Sequence, residues 1–290
     1  MPKPTQHIVR TTDGEKLAAF TYGDPANPPL VLIHGYPDDH AVWAKVVPRL
    51  EHRFHVVAYD VRGAGESTHP RSMRSYPLSQ LECDLASVAD QVLHGRPFHL
   101  AAHDWGSIQS WEAATDPGFG GRILSFTSIS GPCLDHGAHL VRRLATRPLK
   151  LAKLLAPSWY IGVFHLPVLA PAFWKFATPQ QWRRRVCNLE GTDDIPLNPN
   201  ADKNGRFGVE LYRANVVPRL VAPRNRYAQC PVQAVVLTRD NFVRPEYIDE
   251  MRRWADDLEV TEIDSNHWAA LSHSADVAKA IGDFALLNHN

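Results

Sequence analysis

The chain has 290 residues, 44% hydrophobic and 21% charged, enough for one large buried core with room for a sizeable insertion. Lys+Arg and Asp+Glu number 31 each, so the charge gives no reason to expect a nucleic-acid partner. The opening from Met1 to His7 lacks a signal peptide's apolar stretch, and no run of about 18 apolar residues suggests a membrane span. Four cysteines, at 83, 133, 187 and 230, form no CxxC pair and no metal-ligand cluster. Free packing thiols in a reducing, cytoplasmic setting are expected.

The first segments, near His7–Thr11 and Lys16–Tyr22, suit an antiparallel hairpin turning at Asp13-Gly14. Leu30–Ile33, His55–Tyr59, Phe98–Ala102 and Ile123–Ile129 are short apolar runs of the kind that form fully buried strands. Between them, Ser79–Leu93 carries Leu81, Leu85, Val88, Ala89 and Val92 at helical spacing, an amphipathic helix facing the sheet. Val232–Leu237 and Glu259–Ile263 continue the strands, and Glu246–Leu258 and Ala275–Leu287 are predicted as closing helices. Alternating strands and helices predict a mostly parallel central sheet flanked by helices.

From about Cys133 to Ala222 the alternation stops. Helical fragments there are separated by prolines such as Pro148, Pro157, Pro179 and Pro196, and about 90 residues without a strand is too long for a loop. The expected organisation is a core of residues 1–132 and 223–290 with a helical cap, or lid, at 133–222. The cap holds 13 Lys+Arg against six Asp+Glu, and the core carries the opposite excess. A solvated basic face is the simplest account. Peripheral docking on an acidic membrane surface or partner is the other.

Ala102-His103-Asp104-Trp105-Gly106 lies where a buried strand meets a helix, the setting of a nucleophile elbow. Such a turn needs small residues two before and two after its centre, and Ala102 stands where glycine is more usual. An aspartate centre suits attack on sp³ carbon, forming an alkyl ester that water must then cleave. A plain helix N-cap is the competing role for Asp104. Ser107 lies outside the apex, which excludes a serine esterase.

His34-Gly35-Tyr36-Pro37 follows the strand Leu30–Ile33, where the Tyr36 N–H can join the Trp105 N–H as an oxyanion hole. Asp60–Ser67, with Arg62, Gly63 and Gly65, has a structural role as a bend. Asp240 follows one strand and His267 the last, giving the order nucleophile, acid, base of an α/β-hydrolase. His267 is placed as the base that activates water, and Asp240 as the group that fixes its tautomer.

Together the HGxP loop, HDWG elbow, DxRGxGxS stretch, Asp240–Val243 and Asn266-His267-Trp268 resemble the epoxide hydrolases of the α/β-hydrolase superfamily over nearly the whole chain. The resemblance implies hydrolysis of a small epoxide to a diol without metal or organic cofactor, and the lid aromatics Trp159, Phe164, Phe173, Trp174 and Phe176 suit either an apolar substrate or lid packing. It also implies two acidic lid tyrosines, matched here by Tyr160 in Ser158-Trp159-Tyr160 and by Tyr212 in Glu210-Leu211-Tyr212-Arg213. Leu211 departs from the usual Trp. HDWG is shared with haloalkane dehalogenases, but Tyr36 replaces the Asn frequent in that family, and a leaving halide needs no proton. Fluoroacetate-type dehalogenases usually carry Arg where Trp105 stands. A silent binding module is the reading of another class, and the complete Asp104–Asp240–His267 set speaks against it. The chain also resembles the hydrolase portion of certain actinobacterial proteins in which a short-chain dehydrogenase domain follows, and a stand-alone relative is expected. Oligomeric state is not encoded in any of these motifs.

Overall fold

The computed structural model describes residues 4–119, 121–166 and 169–289, so Met1 to Lys3 of the opening stretch lie outside it. Eight strands form one sheet: β1 (Thr5–Arg10), β2 (Lys16–Tyr22), β3 (Pro29–Ile33), β4 (His55–Tyr59), β5 (Phe98–His103), β6 (Ile123–Ile129), β7 (Val232–Leu237) and β8 (Leu258–Ile263). Their order is β1-β2-β4-β3-β5-β6-β7-β8. The β1–β2 hairpin is antiparallel and so is its junction with β4, while every pairing from β4 to β8 is parallel.

Helices α1 (Val47–Leu50), α2 (Leu78–Val92) and α3 (Trp105–Ala114) lie among the first strands. Between β6 and β7 run α4 (Leu134–Leu144), α5 (Pro148–Leu155), α6 (Trp159–Phe164), α7 (Leu169–Phe176), α8 (Pro179–Glu190) and α9 (Ala201–Val221), with no strand among the described residues. Then come α10 (Glu246–Met251), α11 (Ala269–Ser272) and α12 (Ser274–Leu287). No described helix is long and apolar enough to cross a membrane.

The sheet is buried on both faces because its central strands are apolar at successive positions. Val31, Ile33, Val57 and Leu100 pack on one side with Leu85, Val88 and Trp111, whereas Leu30, Leu32, Val56 and Ala101 pack on the other with Trp43 and Ile281. Each such Val or Leu contributes roughly 1.5–3 kcal/mol by leaving water. The predicted α10 is too long. Past Met251 the chain tightens into turns, with Arg253 N–H on Glu250 O and Trp254 N–H on Met251 O, each near 3 Å. These set the Trp254 ring on His136, centroids 5.1 Å apart, while the Trp254 carbonyl accepts from Ala228 N–H at 2.8 Å. Tertiary contacts here override helix continuation.

The bend after β4 is held by a buried ion network. The Arg62 guanidinium donates to both Asp84 oxygens at 2.6 Å and to Asp13 at 2.8 and 3.1 Å. Asp60 accepts from the His40 backbone N–H at 2.8 Å and its ring Nδ1 at 2.7 Å, and from the Glu66 N–H at 2.8 Å. Arg62→Ala would leave Asp84 as an uncompensated buried charge. Such a loss costs about 3–5 kcal/mol, and urea unfolding should show it as a lowered midpoint. Asp13 is a third exposed and contributes less.

Candidate active site

Asp104 sits between β5 and α3 at φ 50° and ψ −122°, a region that non-glycine residues seldom adopt. Its side chain makes no hydrogen bond to the helix it precedes, so the capping role is not what the carboxylate does. Instead Oδ1 accepts the Tyr36 N–H at 2.7 Å. The approach is close enough that a Cβ on Gly35 would lie 2.5 Å from the Asp104 Cβ, and one on Gly106 only 2.4 Å from the Ile33 carbonyl oxygen. Trp105 N–H, the first amide of α3, has no intrahelical acceptor and is available as a second donor beside the carboxylate. The Ala102 methyl that replaces glycine is fully buried in the core with Val31 and Ile33.

His267, following β8, brings Nε2 to 3.6 Å from Asp104 Oδ2 and Nδ1 to 3.0 Å from Asp240 Oδ2. Asp240, after β7, also accepts the Phe242 N–H at 2.7 Å through its other oxygen. Burial opposes charge on the imidazole, but the two flanking carboxylates prevail and raise its pKa to about 10. Burial likewise opposes ionisation of Asp240, and His267 outweighs it, holding that carboxyl below its usual range.

Four side chains that the motifs did not single out hold this arrangement. Ser130, at the end of β6, hydrogen-bonds Asp240 and lies 3.0 Å from His267 Nδ1. Glu190, the last residue of α8, accepts the Trp268 N–H at 2.7 Å and the Ser272 hydroxyl at 2.6 Å, clamping the loop that bears the histidine. His103 reaches the His267 carbonyl at 2.9 Å, and burial lowers its pKa to about 4, so it is neutral. Burial raises Asp38 to about 7, although it accepts the Trp268 indole N–H at 2.9 Å. Of these only His103 lay inside a motif. Asp38 directly follows the His34–Pro37 loop, and Ser130 and Glu190 come from segments that carry no motif.

Asp104 and His267 open onto a cavity of about 450 Å³ lined by Tyr36, Tyr160, Phe164, Tyr212, Phe242 and Trp268, among others. A larger groove, about 600 Å³, runs along β8 and α12 and shares none of these side chains. The Tyr160 and Tyr212 rings are 6.0 Å apart, centroid to centroid, and Tyr212 is 4.6 Å from Trp105. Burial first, then for Tyr212 the Tyr160 ring and for both the Asp104 charge, push the two phenols well above 10, so both keep their protons. Tyr212 is positioned by its helix: Asn215, one turn on, bonds the Leu78 N–H at 2.9 Å and the Tyr76 carbonyl at 2.8 Å. Leu211, which stands where a Trp is usual, is buried beside Tyr212. Of the seven residues expected at the site, Tyr36, Asp104, Tyr160, Tyr212 and His267 line this cavity, while Asp240 stands behind His267 and Trp105 packs on Tyr212.

A family profile described as "alpha/beta hydrolase fold" matches residues 28–157. The protein named "Probable oxidoreductase EphD" from Mycobacterium tuberculosis is 34% identical over 300 residues, 98% of this chain and 50% of its own length. "Epoxide hydrolase A" of the same organism is 32% identical over 67% of this chain and 58% of its own. Among solved structures, an epoxide hydrolase variant from Bacillus megaterium with its diol product superposes with a TM-score of 0.81 at 19% identity, covering 98% of this chain and all of that one. An epoxide hydrolase from metagenomes of hot environments gives 0.76 at 21% identity, covering 98% and 99%. The chain belongs to the α/β-hydrolase superfamily.

This α/β-hydrolase chain spans about half the length of the curated relatives it matches first, so their whole-protein activities are not carried over. Its likeness to the solved epoxide hydrolases is one of fold.

The charge balance at His267 gives a titration test. Because the folded pKa is raised, protonation of His267 contributes stability that is complete below 6.5 and lost as pH rises through about 10. Asp104→Asn removes one of the two anions, so NMR titration should find the imidazole at a lower pKa. Alkaline loss of stability should begin correspondingly earlier. An unchanged titration near 10 would show that Asp104 does not govern the proton on His267.

Proposed function

We propose that the protein hydrolyses an epoxide to a vicinal diol through an ester on Asp104, with residues 133–222 acting as the cap over a core of 1–132 and 223–290. One observation carries the reading. A carboxylate on a strained turn faces a cavity that also holds two protonated phenols and an imidazole between two carboxylates. Asp104 attacks a ring carbon, and the C–O bond breaks as Tyr160 or Tyr212 gives its proton to the departing oxygen. A halide would need no such donor, which favours the epoxide over a haloalkane.

The proton bookkeeping closes on these residues. Ring opening leaves a phenolate and turns the Asp104 anion into a neutral ester. His267 then has one flanking carboxylate in place of two, so its pKa falls and its proton passes to the phenolate. Neutral His267 next takes a proton from water as the hydroxide attacks the ester carbonyl. The resulting oxyanion rests on the Tyr36 and Trp105 amides. Collapse releases the alkoxide, which takes the proton of the new Asp104 carboxylic acid. The starting state is restored with His267 protonated.

Tyr160→Phe and Tyr212→Phe should each slow epoxide opening, and the double variant should nearly abolish it, one positioned acid being worth roughly 10²–10⁴-fold. Diol formation unchanged in all three would reduce the tyrosines to packing. Halide release from a chloroalkane that survives the double change would instead support dehalogenation.

His267→Gln separates the two steps. It should open the epoxide once and stall, adding one substrate mass to the peptide containing Asp104. In ¹⁸O-water the parent enzyme's first turnover should place the label on Asp104 and release unlabelled diol. Label in that first diol, with no adduct in the variant, would leave Asp104 as a general base.

A further inference from the structure

Residues 136–189 contain nine Lys or Arg and no Asp or Glu, although acids and bases balance over the whole chain. Some of this charge is used internally: Arg143 pairs with Glu250, and Arg142 and Arg183 donate to backbone carbonyls. Arg147, Lys150, Lys153, Arg184 and Arg185 are exposed and form no ion pair among the described residues. Large apolar side chains stand in water among them, with Leu149 at 81%, Trp159 at 71% and Phe176 at 80% exposure. A cluster of this kind on one surface calls for a partner.

The positions of these groups favour one partner. Trp159, Phe173 and Arg185 line the cavity that holds Asp104, and Phe173, Arg185 and Phe176 also line an apolar groove beside it. The exposed aromatics therefore rim the entrance to the candidate site. On α5, Leu149 and Lys153 lie one turn apart, and Leu155 leads into Ala156 and Pro157 on the cavity wall. Apolar side chains interleaved with cations and free of anions fit an anionic bilayer, where the apolar groups enter the acyl boundary and the cations meet lipid phosphates. A second copy of the chain is neutral overall, the negative excess of its core being offset by this same basic face, so an anionic bilayer is the more complementary partner.

We infer that α5–α7 and the start of α8 form a docking surface for an anionic lipid membrane, with the cavity entrance facing the bilayer. An apolar substrate could then pass from lipid to the cavity without crossing water. This goes beyond the proposed reaction and stands or falls independently of it.

The test uses the full chain with vesicles of phosphatidylglycerol or of phosphatidylcholine. Sedimentation should recover the protein with the phosphatidylglycerol vesicles, less so as salt rises, and hardly at all with phosphatidylcholine. Lys150→Gln with Lys153→Gln should lower partitioning about 30-fold, each charge near an anionic surface being worth about fivefold. Leu149→Ser with Phe176→Ser should also weaken it. Both pairs lie outside the catalytic cavity, and circular dichroism would verify their fold. Equal sedimentation with and without phosphatidylglycerol, or undiminished binding by both double variants, would overturn the inference. So would a concentration-dependent dimer that these substitutions abolish and vesicles do not compete with, which would make the face a self-interface.

Discussion

Holding an aspartate at positive φ costs of order 1–3 kcal/mol, and the surrounding structure must make every alternative worse. At Asp104 it does so by tight backbone packing. Ile33 and His34 carbonyls press on Gly106, the Asp104 carbonyl presses on Gly131, and Gly35 lies against the carboxylate itself. Asp104 N–H is held by Ile129 O at 3.0 Å, and its carbonyl receives Ile108 N–H at 2.8 Å, so β5, β6 and α3 all fix this turn. The sheet and its connections converge there. The side chain is left with one oxygen on the Tyr36 amide and the other toward His267.

The second constraint is charge. Two carboxylates and one imidazole in a buried space form a stable set only when the imidazole carries a proton. The hydroxyl of Ser130 and the amide of Phe242 complete the bonding of Asp240, which leaves Asp104 as the carboxylate that faces the cavity. In the proposed reaction, losing that one charge would turn His267 from a proton store into a base, so preorganisation and proton timing would rest on the same three side chains.

Most of the sheet and the line-up Asp104, Asp240, His267 were legible because both are local. A run of four or five apolar residues declares a buried strand, and motif residues sit at the ends of those strands. The end of α10 was missed because Trp254 is drawn out of the helix by His136 and His139, more than 100 residues earlier in the chain. Ser130, Asp38 and Glu190 were missed for a similar reason. Each acts on the His267 loop across the fold, and even Asp38, next to the His34–Pro37 loop, has no local pattern that reveals its distant partner. Glu190 follows the basic run Arg183–Arg185, a pattern typical of a surface helix, yet its carboxylate forms a buried clamp.

The ties between the helices of 133–222 and the rest are unequal. Asn204 and Asn215 fasten α9 through buried hydrogen bonds to the Asp38 carbonyl, Gly65 and the start of α2. Glu190 fastens the end of α8 to the His267 loop. Among the described residues, no side-chain hydrogen bond joins α5, α6 or α7 to the sheet or its loops. The hold of α6 and α7 is aromatic, with Phe164 and Trp174 on the Tyr36 ring at 5.7 and 5.8 Å. Hydrogen bonds are directional and fail when displaced by an ångström, whereas apolar contacts slide at small cost. Tyr212 and His267 thus stand on segments tied by hydrogen bonds, whereas Tyr160, on α6, is held by ring contacts with Phe164, Tyr212 and Phe242.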